Sequence, residues 1–330
     1  LRFTLTALLN PGRDVKLSDS RVKGYKSFTN KIWNASNFLQ INQCSIESGF
    51  DYTKIKIPVN QWIVNELVIT KIKVESFISK YLFHEVANEL YHFIWHTYCD
   101  WYIEFSKSLL QKNNLHSKET KNVSMWVFKE ILKISHPIIP FITEKLWNLL
   151  FDKNVFLIDQ ISTNLKIIDN FTNSQNNFKK LTQIISSIRN LRSELNIPYK
   201  NEIVLNINND NKDFCSFIKS SKFEITRLLK LSELNINNNK ISNDGAANIL
   251  VANCTLIVPL YDIIDTENEI NKLTKKSAKA DLELKKIQNK LNNNNFIQKA
   301  PEDVINEFKN QEMNIKSSIE KIKQIINTIK

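Results

Sequence analysis

The chain has 330 residues, 42% hydrophobic and 10% aromatic, with only four glycines and seven prolines. That length exceeds one compact module and suggests two or three, and so few turn-formers favour long helices over a many-stranded sandwich or barrel. A formal charge of +11 and a pI of about 9.3 fit a polyanionic partner, nucleic acid first, although general over-use of Lys, Asn and Ile would raise the charge without one.

The four cysteines, Cys44, Cys99, Cys215 and Cys254, lie tens of residues apart with no Cys-x-x-Cys pair. This argues against a thiolate zinc site and for a reduced, cytoplasmic protein. No signal peptide and no apolar run of about 18 residues is present, so membrane spanning is not indicated. The chain opens on "LRFTLTALL", already inside an amphipathic pattern, and is expected to be a piece of something longer.

Residues 1–150 read as a bundle of about five helices. "NPGRD" at 10–14 is a turn. Tyr25, Phe28, Ile32, Ala35 and Leu39 follow i, i+3, i+4 spacing and define one apolar face. Pro58 and Asn60 open a helix running to about Tyr81, with Asn60 as its N-cap. A long aromatic-rich helix reaches about Leu110. "MWVFKEILKI" then resumes helix after "KNNLHS", and the two prolines of "HPIIPF" break it before "ITEKLWNLL".

Residues 151–262 read as a small α/β module. A helix near 176–195 ends at "NIPYK", "EIVLNI" at 202–207 alternates like a strand, a helix near 211–230 follows, and "ANCTLIVPL" at 252–260 is a buried strand. Residues 263–330 form the clearest pattern. Ile270, Leu273, Ser277, Ala280, Leu284, Ile287 and Leu291 step by 3 and 4, and so do Ile305, Phe308, Glu312, Ile315, Ile319, Ile322, Ile326 and Ile329. Two heptad segments around a break containing "NNNN" and Pro301 predict an antiparallel coiled-coil hairpin, each arm roughly 35–40 Å long. Between 267 and 291 seven Lys face four acidic residues, so the arm is basic and suits contact with something large.

His92, His96, Asp100 and Glu104 lie four apart in "HFIWHTYCDWYIE". A His-x-x-x-His pair can chelate zinc, but no Glu completes a His-Glu-x-x-His motif, and a polar stripe of i, i+4 pairs is the reading preferred. No Gly-x-x-x-x-Gly-Lys, Gly-x-Gly-x-x-Gly or Gly-x-Ser-x-Gly motif occurs, and no catalytic centre is predicted.

A helical wheel over residues 23–39 puts Lys31, Asn34 and Phe38 with Ser27 away from the apolar face. Lys can hold phosphate, Asn can bond base edges and Phe can stack on an unstacked base. The opposing reading packs Phe38 against a second helix, and spacing does not choose between them. Trp33, on a flank, is expected to be a packing residue. From 13 to 31 six basic residues (Arg13, Lys16, Arg21, Lys23, Lys26, Lys31) face Asp14 and Asp19, so the local field is positive.

"LRFTLTALLNPGRDVKLSDSRVKGYKSFTNKIWNASNF" resembles the start of the anticodon-binding domain of valyl-tRNA synthetases. "CDWYIE" and "HPIIPFITEKLW" are similar to segments shared among the valine, isoleucine and leucine class I enzymes. "IRNLRSELNIPYK" looks like the segment after the valine enzymes' bundle, and "NNFIQKAPEDVI" like the break in their C-terminal coiled coil. The resemblance covers essentially the whole chain.

The resemblance implies a mainly α fold: an anticodon-binding helical bundle, a small α/β module and a coiled-coil arm. It implies the C-terminal portion of a cytoplasmic, monomeric enzyme that attaches valine to tRNA(Val) using ATP with Mg. This segment holds no cofactor or metal of its own, since the family's His-Ile-Gly-His and Lys-Met-Ser-Lys-Ser signatures are absent. The family's Lys, Asn and Phe of K-x-x-N-x-x-x-F match Lys31, Asn34 and Phe38. A basic residue often precedes that Phe, where this chain has Asn37. Arg21 and Lys23 are further candidates for the anticodon stem-loop. Lys279, Lys286, Lys290 and Lys309 are candidates for the tRNA elbow, which the family's arm contacts. The alternatives are the tail of an isoleucine-type synthetase, whose usual Cys-rich zinc module is missing here, and a non-enzymatic RNA-binding or scaffold protein.

Overall fold

The computed structural model describes the chain apart from residues 10–16, 112–115, 152, 161–164, 238–245, 261–265, 293–307, 314, 317–318 and 321–330, and the side chains of 266–273 and 276. The expected turn at 10–14, Arg13, Lys16 and the break around Pro301 lie outside the described residues. The chain divides into two units, Leu1–Lys179 and Lys180–Lys330.

The first unit is helical: α1 (Arg2–Leu8), α2 (Asp19–Ile41), α3 (Pro58–Ser79), α4 (Phe83–Tyr91), α5 (Ile103–Leu109), α6 (Ser117–Ser135), α7 (Pro140–Leu150) and the start of α8 (Thr172–Glu194). The face expected on α2 is the buried one, with Phe28, Ile32, Ala35 and Leu39 enclosed. The residue flanking the start of α3 is Ile57, with Pro58 in the first turn, so Asn60 is not its N-cap. Asn60 is instead fully buried. Its amide donates to Glu119 Oε1 at 3.0 Å and Thr120 Oγ1 at 3.2 Å, and its Oδ1 accepts from the Tyr102 hydroxyl at 2.9 Å. The Glu119 carboxylate, carried on α6, also takes the N–H groups of Lys56 and Ile57 at 3.0 and 2.9 Å. The amides entering α3 are thus satisfied by a neighbouring helix rather than by a local cap.

Between α4 and α5 the helix widens to a π-helix over His92–Tyr102. Val86, Leu90, Ile94, Tyr98, Tyr102 and Ser106 are all buried, a strict step of four. On an α-helix of 3.6 residues per turn that step drifts by about 40° each time; the wider turn keeps the stripe facing one way. In the polar stripe the expected i, i+4 spacing brings His96 Nδ1 to 3.3 Å from Asp100 Oδ2, whereas Glu104 Oε1 accepts from Lys107 Nζ, three residues on and outside the stripe, at 2.5 Å. In the turn between α6 and α7, Thr143 Oγ1 donates to the Ile139 carbonyl at 3.0 Å and lies 2.9 Å from His136 Nδ1, which fixes the "HPIIPF" break.

In the second unit α8 continues, and the strand order is β2-β1-β4-β3, from β1 (Ile203–Asn208), β2 (Leu231–Ile236), β3 (Ala246–Val251) and β4 (Cys254–Pro259). β1 and β2 are parallel, joined by α9 (Lys212–Ser220) and α10 (Lys222–Leu229), while β4 is antiparallel to both β1 and β3. The single helix expected near 211–230 is two, parted at Ser221. Strands β2 and β3 were not anticipated. Arg192 on α8 is 6% exposed and acts as a hub: its Nη1 reaches Pro198 O (3.4 Å) and Asn201 O (2.9 Å), and its Nη2 reaches Leu229 O (2.9 Å) and Lys230 O (3.0 Å).

The last long helix, α11 (Thr266–Leu291), is followed by helical residues 308–313. Gln288 Nε2 donates to Glu312 Oε1 at 3.1 Å, and Lys290 Nζ lies 5.0 Å from the centre of the Phe308 ring. Later residues of one stretch meet earlier residues of the other, which is antiparallel pairing. Ser277 and Ile319 are buried, whereas Lys279, Lys286, Lys290 and Lys309 are exposed. Glu312, off-pattern in the heptad seam, is held by Gln288 and by Lys316 at 2.7 Å. Among the described residues no helix is long and apolar enough to cross a membrane, and no group of three or more His, Cys, Asp or Glu could hold a metal ion.

The bundle interior also contains charge. Lys71, Glu130 and Lys133 are each no more than 5% exposed, with Lys133 Nζ 2.8 Å from Glu130 Oε1. Burial pushes the Lys71 ammonium below its usual range, against the pull of Glu130 and Glu75. Glu130→Gln should therefore destabilise the protein by about 3–5 kcal/mol, because two buried cations lose a shared counter-charge. Urea unfolding checks this, and adding Lys133→Met should recover part of the loss.

Candidate nucleic-acid interface

The candidate interface is built on α2. Its inner face is seated by an aromatic string: Phe3 lies 4.7 Å from Phe28, Phe28 lies 5.1 Å from Tyr91, and Tyr91 stacks on Trp95 at 5.4 Å. That string locks α2 against the π-helix, so the outward side of α2 is set by packing beneath it.

Lys26, Asn30, Trp33, Asn34 and Ile41 form this outward side, all exposed, with Asn37 and Phe38 half-buried along its border. Trp33, expected as a packing residue, is instead at the surface, 38% exposed. Ile41 at the end of the helix is 80% exposed. Arg21 and Lys23 are exposed one to two turns earlier. The result is a surface of amides, aromatic rings and cations, the chemistry that stacks on bases, bonds their edges and holds phosphate.

Lys31 behaves differently from Asn34 and Phe38. It turns along the flank of α2, pairs with Asp100 and places its ammonium 4.4 Å from the centre of the Trp95 ring. Both charged side chains are partly exposed. The Asp100 carboxylate is shared with His96, so the polar stripe of the π-helix supplies the counter-charge. Asp100 and Trp95 are the site neighbours that sequence reasoning missed. They lie more than 60 positions from Lys31, and only the dense Trp and Asp content of "HFIWHTYCDWYIE" hinted at them.

Residues 60–207, from the start of α3 to β1, match the anticodon-binding domain of tRNA ligase. Residues 265–330 match the valyl tRNA synthetase tRNA binding arm. The chain is 34% identical over 98% of its length to a valine–tRNA ligase of Pelagibacter ubique, 33% identical over 98% to that of Zymomonas mobilis, and 34% identical over 96% to that of Buchnera aphidicola. The chain spans 37%, 37% and 34% of those relatives' lengths. It belongs to the valyl-tRNA synthetase family, and its two matches are to an anticodon-binding domain and a tRNA binding arm. The candidate residues on α2 precede the 60–207 match.

The dual bonding of Lys31 predicts a structural share in its role. Lys31→Met should cost roughly 1 kcal/mol of stability, the sum of a partly exposed ion pair and a cation–π contact, read as a lower urea midpoint with an unchanged slope.

Proposed function

We propose that this chain is the tRNA-recognition part of a valine–tRNA ligase, a cytoplasmic and monomeric enzyme that attaches valine to tRNA(Val) using ATP and Mg. The observation that carries the reading is the pair of matches to an anticodon-binding domain and a tRNA-binding arm in one chain, supported by valine–tRNA ligases aligned along nearly its whole length. ATP chemistry belongs to parts of the enzyme outside this chain, which has neither ATP signature. The four buried, unpaired thiols are compatible with a reducing compartment.

In this reading residues 1–150 are the anticodon-binding bundle, 151–262 the small α/β module and 263–330 the coiled-coil arm. Phe38 stacks on an anticodon-loop base, Asn34 and Asn37 bond a base edge or sugar, and Arg21 and Lys23 hold backbone phosphate. Lys31 contributes positive field while anchored to Asp100. Lys279, Lys286, Lys290 and Lys309 are exposed on the arm and hold the tRNA elbow.

Phe38→Ala should weaken tRNA(Val) binding by about 1–3 kcal/mol, measured by filter binding; unchanged affinity would remove Phe38 from the interface. A parallel titration with tRNA for isoleucine distinguishes the valine assignment from an isoleucine-type tail. On the arm, each Lys→Ala at 279, 286 or 290 should lower the slope of log affinity against log salt by about 0.9, with little change in which tRNA is preferred.

A further inference from the structure

Helix α8 closes with Asn196 in the left-handed region, φ 51°, and Ile197 N–H bonds back to Arg192 O at 2.8 Å. A β-turn follows at once. Asn201 N–H donates to Pro198 O at 3.0 Å, which makes Tyr199 and Lys200 its two central residues. The Arg192 guanidinium grips both corner carbonyls of this turn, Pro198 O and Asn201 O, from beneath. Its other nitrogen ties the same point to the carbonyls ending α10.

The turn is therefore held in place, and it displays two side chains to solvent. Tyr199 is 64% exposed, and its hydroxyl has no hydrogen-bond partner among the described residues. Lys200 is exposed and has no ion-pair partner among them. The carboxylate two positions on, Glu202, is already paired with Lys230 at 3.0 Å.

We propose that the 198–201 turn is a separate tRNA contact, in which Tyr199 stacks on an unpaired base and Lys200 holds an adjacent phosphate. The inference rests on the tRNA-binding reading above and adds residues that are not part of α2. An exposed ring beside an uncompensated cation is the combination that single-stranded RNA uses, and stacking accepts any base. A protein partner fits less well, because a specific interface buries about 800 Å² on each side and this turn offers two side chains. Holding the turn in place before binding removes an ordering cost that a loose loop would meet. The turn also lies inside the 60–207 match to the anticodon-binding domain.

The test uses the full-length protein and a tRNA(Val) transcript in fluorescence anisotropy at fixed salt. Tyr199→Ala should weaken binding roughly 5- to 100-fold, while Tyr199→Phe keeps wild-type affinity because the ring remains. Lys200→Ala should lower the salt slope by about one. All three variants should melt with the wild type, since neither side chain is buried. Wild-type affinity in Tyr199→Ala, alongside weakened binding in Phe38→Ala, overturns this proposal and leaves the tRNA-binding reading standing. Equal loss in the Ala and Phe variants also overturns it, since stacking would then not be the interaction. If the wild type binds tRNA no better than a polyuridine of equal length, the underlying reading fails and takes this one with it.

Discussion

The helical unit depends on a carboxylate that serves a helix other than its own. Glu119, at the start of α6, accepts the backbone amides of Lys56 and Ile57 and the side-chain amide of Asn60. Asn60 in turn receives the hydroxyl of Tyr102, which also meets Ser124 at 3.0 Å. Tyr98 donates to the Ser124 carbonyl. Buried polar groups left alone cost far more than the same groups paired, so this network fixes the relative register of α3, α6 and the π-helix. The aromatic string from Phe3 to Trp95 then seats α2 on that frame. The outward side of α2 is oriented by groups that never touch it.

Much of this was legible in the chain. The buried stripe of α2, the two-proline break between α6 and α7, and the alternation of "EIVLNI" all come from local periodicity, and local periodicity survives folding. The antiparallel pairing of the last two helical stretches shows the same at longer range: Gln288 with Glu312 and Lys290 with Phe308 meet where the two heptad patterns would align them. The outward face of α2 was half legible. The wheel separated Asn34 and Phe38 from the buried stripe, but it could not say that Trp33 would reach the surface.

What stayed hidden depended on distant partners or on unusual backbone. Asn60 looks like an N-cap beside Pro58; its role is decided by Glu119, 59 residues away. Lys31 looks like a free phosphate ligand until Asp100 and Trp95 are brought beside it. The π-helix leaves a trace, a buried step of four, but that step is easily taken for a drifting α-helical face. Strand β2 follows α10 with no Gly or Pro between them, the turn being made by Lys230 at φ 52°. Strand β3 turns into β4 through Ala252 and Asn253, both left-handed at φ 52° and 59°, where Asn-Gly would have been the recognisable signal.

The Arg192 hub has a consequence for how the second unit opens. One guanidinium joins the end of α8, the turn before β1 and the end of α10. The Ile203 amide, at the head of the first strand, bonds to the Lys230 carbonyl at 3.3 Å, one of the four oxygens that Arg192 holds. Segments sharing a single anchor separate together or not at all. The amide protons of Ile197, Asn201 and Ile203 should then exchange with solvent in one cooperative event, although they belong to three different structural elements.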